Sequence, residues 1–293
     1  MEYQNPYEAN PAKIPASDHH VNKPHYGRYL PHPADFKPAA EHINSTTPES
    51  IAYWSDILSQ CNESHRIYEN IRSGRDVFAF GSLIIKSSHL KKRAGPDCTL
   101  VDANEVAATN LVKEKCSGIR VPKIYFADKI NGRSVLVQER ILGVGLDVAW
   151  QYLTKVKKTF FIDEARDILR KLRDTIKPDE SQTAPSYIVP DPAPRVHRGI
   201  SMEEHDIMFG TPAFPTGALC FVHNGFWPAN LIVIDGEIVG VVDWEMAGYF
   251  PWLATRSVHL RVRSPDVASC ARLTLDEDSV KDVLRWEELF NFS

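Results

Sequence analysis

An Asp235-Gly236 pair sits between two β-branched runs, Leu231–Ile234 and Glu237–Val242. Such a dipeptide between strand-like runs is the strongest short signal for a two-residue hairpin. Counting outward from the turn sets Ile234 against Glu237, Leu231 against Gly240 and Asn230 against Val241. Side chains alternate faces with period two, so Asn230 shares a face with Val241 and Asp243. Diagonal neighbours lie roughly 7–8 Å apart at the backbone, within reach of one small ligand. The spacing predicts an amide oxygen and a carboxylate converging at the open end of a ribbon. Oxygen donors of that kind suit a hard divalent ion, above all magnesium shared with phosphates.

The loop entering the ribbon reads His223-Asn224-Gly225-Phe226-Trp227-Pro228-Ala229-Asn230, and the exit reads Asp243-Trp244-Glu245. Together they resemble the catalytic loop of the aminoglycoside phosphotransferase and choline kinase family, of fungal type. That family writes H-G-D-x-x-P-x-N, a hairpin, then I-D-W-E. His223, Pro228, Asn230, Asp243, Trp244 and Glu245 match in type and spacing, whereas the family's catalytic Asp falls on Gly225. The resemblance implies that His223, Asn230 and Asp243 belong to catalytic machinery and that Asn230 and Asp243 hold Mg2+. The group that accepts the substrate hydroxyl proton in the kinase template is missing.

Upstream, Val77–Phe80 and Leu83–Ile85 flank Gly81-Ser82, which predicts another hairpin ending at Lys86. Alone, Lys86 is a solvated lysine at a strand end; the resemblance puts it on ATP phosphates. It also pairs Lys86 with Glu105, in a helix expected to open at Asp102-Ala103-Asn104-Glu105. Asp102 and Glu105 equally have the spacing of a capping box, in which Glu105 serves its own helix. Ser73-Gly74-Arg75-Asp76 stands where a phosphate-covering loop belongs but lacks a GxGxxG pattern. Val121–Phe126 and Ser134–Val137 flank Asn131-Gly132, a further hairpin, and Gln138-Glu139-Arg140 follows. The resemblance makes this the hinge between lobes and places Glu139 at the adenine.

Residues 1–46 are rich in Pro, His, Tyr and Asn and read as an extension, disordered or draped over the body. His19, His20, His25 and His32 fit no standard metal spacing and read as solvated or packed. Thr47-Pro48-Glu49 starts a helix whose stripe is Ile51, Trp54, Leu58 and Cys61. Phe161, Ala165, Ile168, Leu169, Leu172 and Ile176 mark a longer amphipathic helix. Prolines break 180–217 into an irregular insertion, a natural lid or substrate wall; its Glu203, Glu204, His205 and Asp206 read as a solvated run or a substitute base. Phe226, Trp227, Trp244 and Trp252 read as core or as walls of a pocket. Val280, Val283, Leu284 and Phe290 suggest a last helix.

A net charge of −4 gives no bulk attraction to nucleic acid or an anionic membrane, and no apolar run approaches spanning length. The start MEYQNPYEAN lacks the marks of a secretory leader, and five cysteines are scattered; both lead us to expect a cytoplasmic protein. The resemblance implies an α+β, protein-kinase-like fold: a small antiparallel lobe over a mainly helical one. The expected division is an extension to 46, a nucleotide-binding lobe over 47–140 and a helical lobe over 141–293. The expected activity is ATP- and Mg2+-dependent phosphoryl transfer to a small-molecule hydroxyl, weakened or lost through Gly225. Two other readings stand beside it: a nucleotide-binding pseudokinase, and a kinase fold turned to ATP-independent chemistry on a small metabolite.

Overall fold

The computed structural model describes residues 7, 10–71, 74–210, 219–263, 282, 286 and 288–290. The fold is the kinase-like α+β arrangement of two lobes. The smaller lobe is a five-stranded antiparallel sheet in the spatial order Arg66–Tyr68, Asp76–Phe80, Leu83–Ser87, Arg133–Glu139, Ile124–Ile130. The hairpin at Gly81-Ser82 forms with Phe80 opposite Leu83, and the one at Asn131-Gly132 with Ile130 opposite Arg133. Alternate side chains point under the sheet, where Phe78, Leu83, Ile85, Phe126, Val135 and Val137 meet Trp54, Ile57 and Leu58. Those last three come from the helix Pro48–Gln60, capped by the Thr47 hydroxyl on the Ser50 amide. Thr47→Ala should cost about 1 kcal/mol of stability, the usual worth of such a cap, measurable by urea unfolding; an unchanged midpoint would remove the cap from the account.

The helix Thr99–Lys115 starts three residues before the expected position. Asp97 supplies the turn by accepting from the Thr99 amide, so Asp102 lies inside the helix and no capping box forms with Glu105. Both acids are thereby released to face other elements. The larger lobe packs the amphipathic helix Lys155–Thr175 against the ribbon, through Phe161, Ala165, Leu169 and Leu172.

The ribbon itself, Leu231–Ile234 with Glu237–Val241, pairs Ile234 with Glu237 as counted on sequence and is shifted by one residue farther from the turn. Leu231 faces Val241 and Ile232 faces Gly240, because an irregularity between Ile232 and Val233 inserts one extra residue in the partner strand. A bulge of this kind is invisible to pair counting. It moves Asn230 opposite Val242, whose amide donates to the Asn230 carbonyl at 2.9 Å.

The extension is ordered over 10–46. Arg28–Tyr29 adds a strand to Gly143–Gly145, which in turn pairs with Leu231–Ile234. The close approach uses Gly27 at φ +60°, whose carbonyl accepts from the Gly145 amide at 2.6 Å; a Cβ there would meet Val148 Cγ2 at 2.7 Å. Buried Asp18 anchors this strap by accepting from Arg28 and Tyr152. Farther on, the Ser82 hydroxyl donates to the Phe36 carbonyl, and the Asn44 amide to that of Tyr125. One segment therefore touches both lobes. Among the described residues no helix is long and apolar enough to cross a membrane.

The insertion is more regular than its prolines suggest. It holds the strand Ser186–Tyr187 and the helices Pro194–His197 and Met202–Phe209. Residues 211–218 lie outside the described residues, as do Arg72, Ser73, Val280, Val283 and Leu284. Phe290 belongs to the short turn Glu288–Phe290.

Candidate active site

Residues of both lobes line a cleft of about 1260 Å³. At its inner end Lys86, on Leu83–Ser87, is surrounded by acids. Its Nζ lies 2.6 Å from Asp243 Oδ1, 2.8 Å from Glu105 Oε2 and 3.4 Å from Glu245 Oε2. Lys86 is therefore no solvated strand end. Burial alone would push its ammonium down; the facing carboxylates outweigh burial and hold it well above its ordinary value. Fully buried Glu105 is pushed up to about 7 by desolvation, which Lys86 only partly offsets. For Asp243 burial acts upward too, but Lys86 overcomes it and keeps the carboxyl below its usual range. Oxygens of Glu105, Asp243 and Glu245 all lie within 4.8 Å of one another.

Asp243 reaches this point because the chain breaks from the ribbon in the left-handed conformation, φ 67° and ψ 59°. A non-glycine residue held there is uncommon and costs of order 1 kcal/mol or more, so the surrounding structure must impose it. Trp244 supplies the restraint: its ring is fully buried and its Nε1 donates to the Val241 carbonyl at 2.9 Å. Asn230 closes the other end. Its Nδ2 donates to the Gly225 carbonyl at 2.8 Å and lies 3.5 Å from Asp243 Oδ2, which leaves Oδ1 as its acceptor. The two ends of the ribbon thus meet despite the shifted register.

His223 is fully buried, edge-on to Trp244 with centroids 4.5 Å apart. Its Nε2 lies 3.0 Å from the Val242 carbonyl, so that nitrogen carries the proton and the imidazole braces the loop against the strand. Desolvation pushes His223 down to about 4, and does the same to His259, which packs on Trp227 and Phe290. Both rings are neutral in the fold and charge in the unfolded chain below 6.5. The unfolded state then binds more protons between about pH 4 and 6.5, so stability falls as pH drops through that window. The expected loss is roughly 2 kcal/mol per ring at pH 5. Denaturant unfolding at pH 7 and pH 5 measures it; a His259→Phe variant that kept the full pH dependence would count against that ring's share.

Gly225 lies beside His223, outside the left-handed region. A Cβ there would sit 3.5 Å from His223 Nδ1 and 3.7 Å from Arg263 Nη1, ordinary contact distances. Arg263 donates to the Asn224 carbonyl and pairs with Glu204. Glu204 is thus buried and committed, which corrects the expectation of a wholly solvated run over Glu203–Asp206. Asn224 takes φ 57°, a conformation asparagine accepts more readily than most residues.

Glu139 lines the cleft, but its carboxylate accepts from Arg120 at 2.6 Å and from the Lys123 amide at 3.1 Å. Its own amide donates to the Lys123 carbonyl. Phe226 and Trp244 are core residues, and Trp227 and Trp252 pack on that core. The loop before Asp76 is organised by that buried acid, which accepts from the Asn70 amide and pairs with Lys91 at 3.0 Å. Arg75, beside it, meets Asp102 at 2.5 Å and Glu245 at 3.8 Å. The sequence pointed to Glu245 only as part of a motif, and nothing local marked the contact of Arg198 with the Glu245 carbonyl or of Arg263 with the Asn224 carbonyl, 47 and 39 residues away.

Known proteins bear on this geometry. Comparison with curated proteins finds no match. Among solved structures, the ternary complex of streptomycin, ATP and APH(2")-IIa superposes with a TM-score of 0.51 at 14% identity, covering 85% of this chain and 83% of that one. The ADP-bound aminoglycoside phosphotransferase APH(2'')-Ib gives 0.47 at 14% identity, covering 84% and 100%. The first of these likenesses supports the fold. The model of the phosphotransferase enzyme family matches residues 103–285, which hold Glu105, the loop at His223 and the Asp243 turn. By that match over more than half its length, the chain belongs to the phosphotransferase enzyme family.

Proposed function

We propose that the chain transfers the γ-phosphoryl group of ATP to a hydroxyl of a small molecule, with Mg2+, at a rate held down by Gly225. The observation that carries this reading is that Lys86, Asn230 and Asp243 meet along one cleft, with buried Glu105 paired to Lys86. In this reading Lys86 holds phosphate oxygens, oriented by Glu105. Asn230 Oδ1 and Asp243 offer the hard oxygen donors that a divalent cation prefers, and Glu245 stands within reach of the same set. Bound Mg2+ would supply neutralisation of phosphate charge. His223 keeps the loop registered on the strand, and the hinge around Glu139 walls the base. Phosphoryl transfer depends mostly on positioning and charge, so the loss of one carboxylate lowers the rate without removing these parts.

The test is calorimetric titration with ADP and Mg2+, followed by a screen of hydroxylated small molecules for phosphorylated product. Micromolar binding with product formation is expected. Binding without turnover of any acceptor favours the pseudokinase reading, which Gly225 supports; product made without ATP favours the repurposed fold. Absence of binding overturns the proposal.

A further inference from the structure

The insertion brings a second ionisable pair to the cleft. The Asp191 side chain is buried, and its Oδ1 lies 2.7 Å from His197 Nδ1. The same carboxylate accepts from the Ala193 amide at 2.9 Å and, through Oδ2, from Arg198 Nε at 3.0 Å. These donors hold it below the ordinary carboxylate range although burial acts upward. In the neutral ring an ionised acid facing Nδ1 fixes the tautomer: Nδ1 carries the proton, and Nε2 keeps its lone pair. His197 lines the cleft and its side chain is 26% exposed, so the ring has one edge in protein and one toward solvent.

Arg198 ties this pair to the acid cluster. Its Nη1 donates to the Glu245 carbonyl, two residues from Asp243, and its guanidinium lies 3.7 Å from the ring centroid of Tyr187. Asn104, from the Glu105 helix, donates to the same Glu245 carbonyl at 3.0 Å and accepts from the Val189 amide at 2.9 Å. The stretch carrying Asp191 and His197 is thus bolted to the elements that hold Glu105 and Asp243. A buried carboxylate, an oriented imidazole and an open nitrogen make the arrangement by which a general base is recognised.

We infer that His197, oriented by Asp191, accepts the hydroxyl proton of the acceptor in this cleft, in place of the carboxylate absent at Gly225. The inference rests on the phosphotransferase reading above. In the step, the acceptor oxygen forms its bond to the γ-phosphorus while its proton passes to His197 Nε2. The bridging P–O bond breaks and its electron pair leaves on the terminal oxygen of ADP. The imidazolium then returns its proton to solvent.

The test uses the full chain, with water as acceptor, ATP hydrolysis as the rate and ADP·Mg2+ affinity as the control. His197→Gln should slow hydrolysis by roughly tenfold to a hundredfold, the lower range for a general base, with ADP affinity unchanged. In a Gly225→Asp background the same substitution should change the rate by less than about threefold, because the new carboxylate takes over the proton. Added imidazole should restore part of the rate to a His197→Gly variant. Equal losses in the two backgrounds would mean a structural role and overturn the inference. So would an unaffected His197→Gln rate, or no hydrolysis by the native chain when it binds ADP. If ADP does not bind, the underlying reading fails first, and this one with it.

Discussion

Gly225→Asp should raise phosphoryl transfer by roughly tenfold to a hundredfold, the part of a positioned acid–base group's usual 10²–10⁴-fold that His197 does not already supply. The site is prepared for the side chain. The backbone at 225 is free of the left-handed strain that would penalise a Cβ, and the nearest atoms stand at 3.5–3.7 Å. Arg263 Nη1 is one of them, so a carboxylate here meets a guanidinium rather than another acid. Fold stability should stay within about 1 kcal/mol, as for substitutions that neither overpack nor strand a charge. The measurement is initial ATP turnover by native and variant chains at equal nucleotide saturation. A folded, nucleotide-binding variant with unchanged turnover would show that the cleft serves other chemistry, because the remaining kinase parts would then have gained their missing member to no effect.

Lys86→Met should abolish productive nucleotide binding and also weaken the fold. Removing one preorganised donor from a charged transition state typically costs roughly 10²–10³ in rate. The stability effect comes from the three acids left behind. Glu105 is fully buried and already pushed up to about 7 with Lys86 in place. Without the ammonium it must be buried with a proton or pay for its charge, and breaking such a pair costs about 3–5 kcal/mol. The variant should therefore unfold at lower urea than the native chain. Three carboxylates within 4.8 Å, no longer neutralised by Lys86, should also bind divalent cations more tightly. Millimolar Mg2+ should then restore part of the lost stability in Lys86→Met while changing the native chain little. An unfolding midpoint identical to native, or one indifferent to Mg2+, would count against the acid cluster as drawn.

Local chemistry made much of this chain legible in one dimension. Asp235-Gly236, Asn131-Gly132 and Gly81-Ser82 each fold back on their own neighbours, so their hairpins were visible as dipeptides between apolar runs. The Thr47 cap and the stripe of Lys155–Thr175 were equally local. The spacing from Asn230 to Asp243 carried the meeting of amide and acid, since both flank one short ribbon. The register did not follow, because a bulge adds a residue without leaving a mark in the hydrophobic pattern.

Long-range partners were decided by the tertiary structure alone. Lys86 lies 157 residues from Asp243, and nothing around either residue says that one ammonium will hold three carboxylates. Asp102 read on sequence as one half of a capping box with Glu105; packing gave it Arg75, because the helix begins earlier and turns that acid inward. Glu204 became a buried partner of Arg263, and Asp191 came to orient His197 at the cleft, only because an insertion rich in proline found backbone groups of the Glu245 turn to bind. Contacts between neighbours in sequence are set by dihedral preference and side-chain alternation. Contacts across the fold depend on which buried polar groups remain unpaid once the core has packed, and that sum exists only in three dimensions.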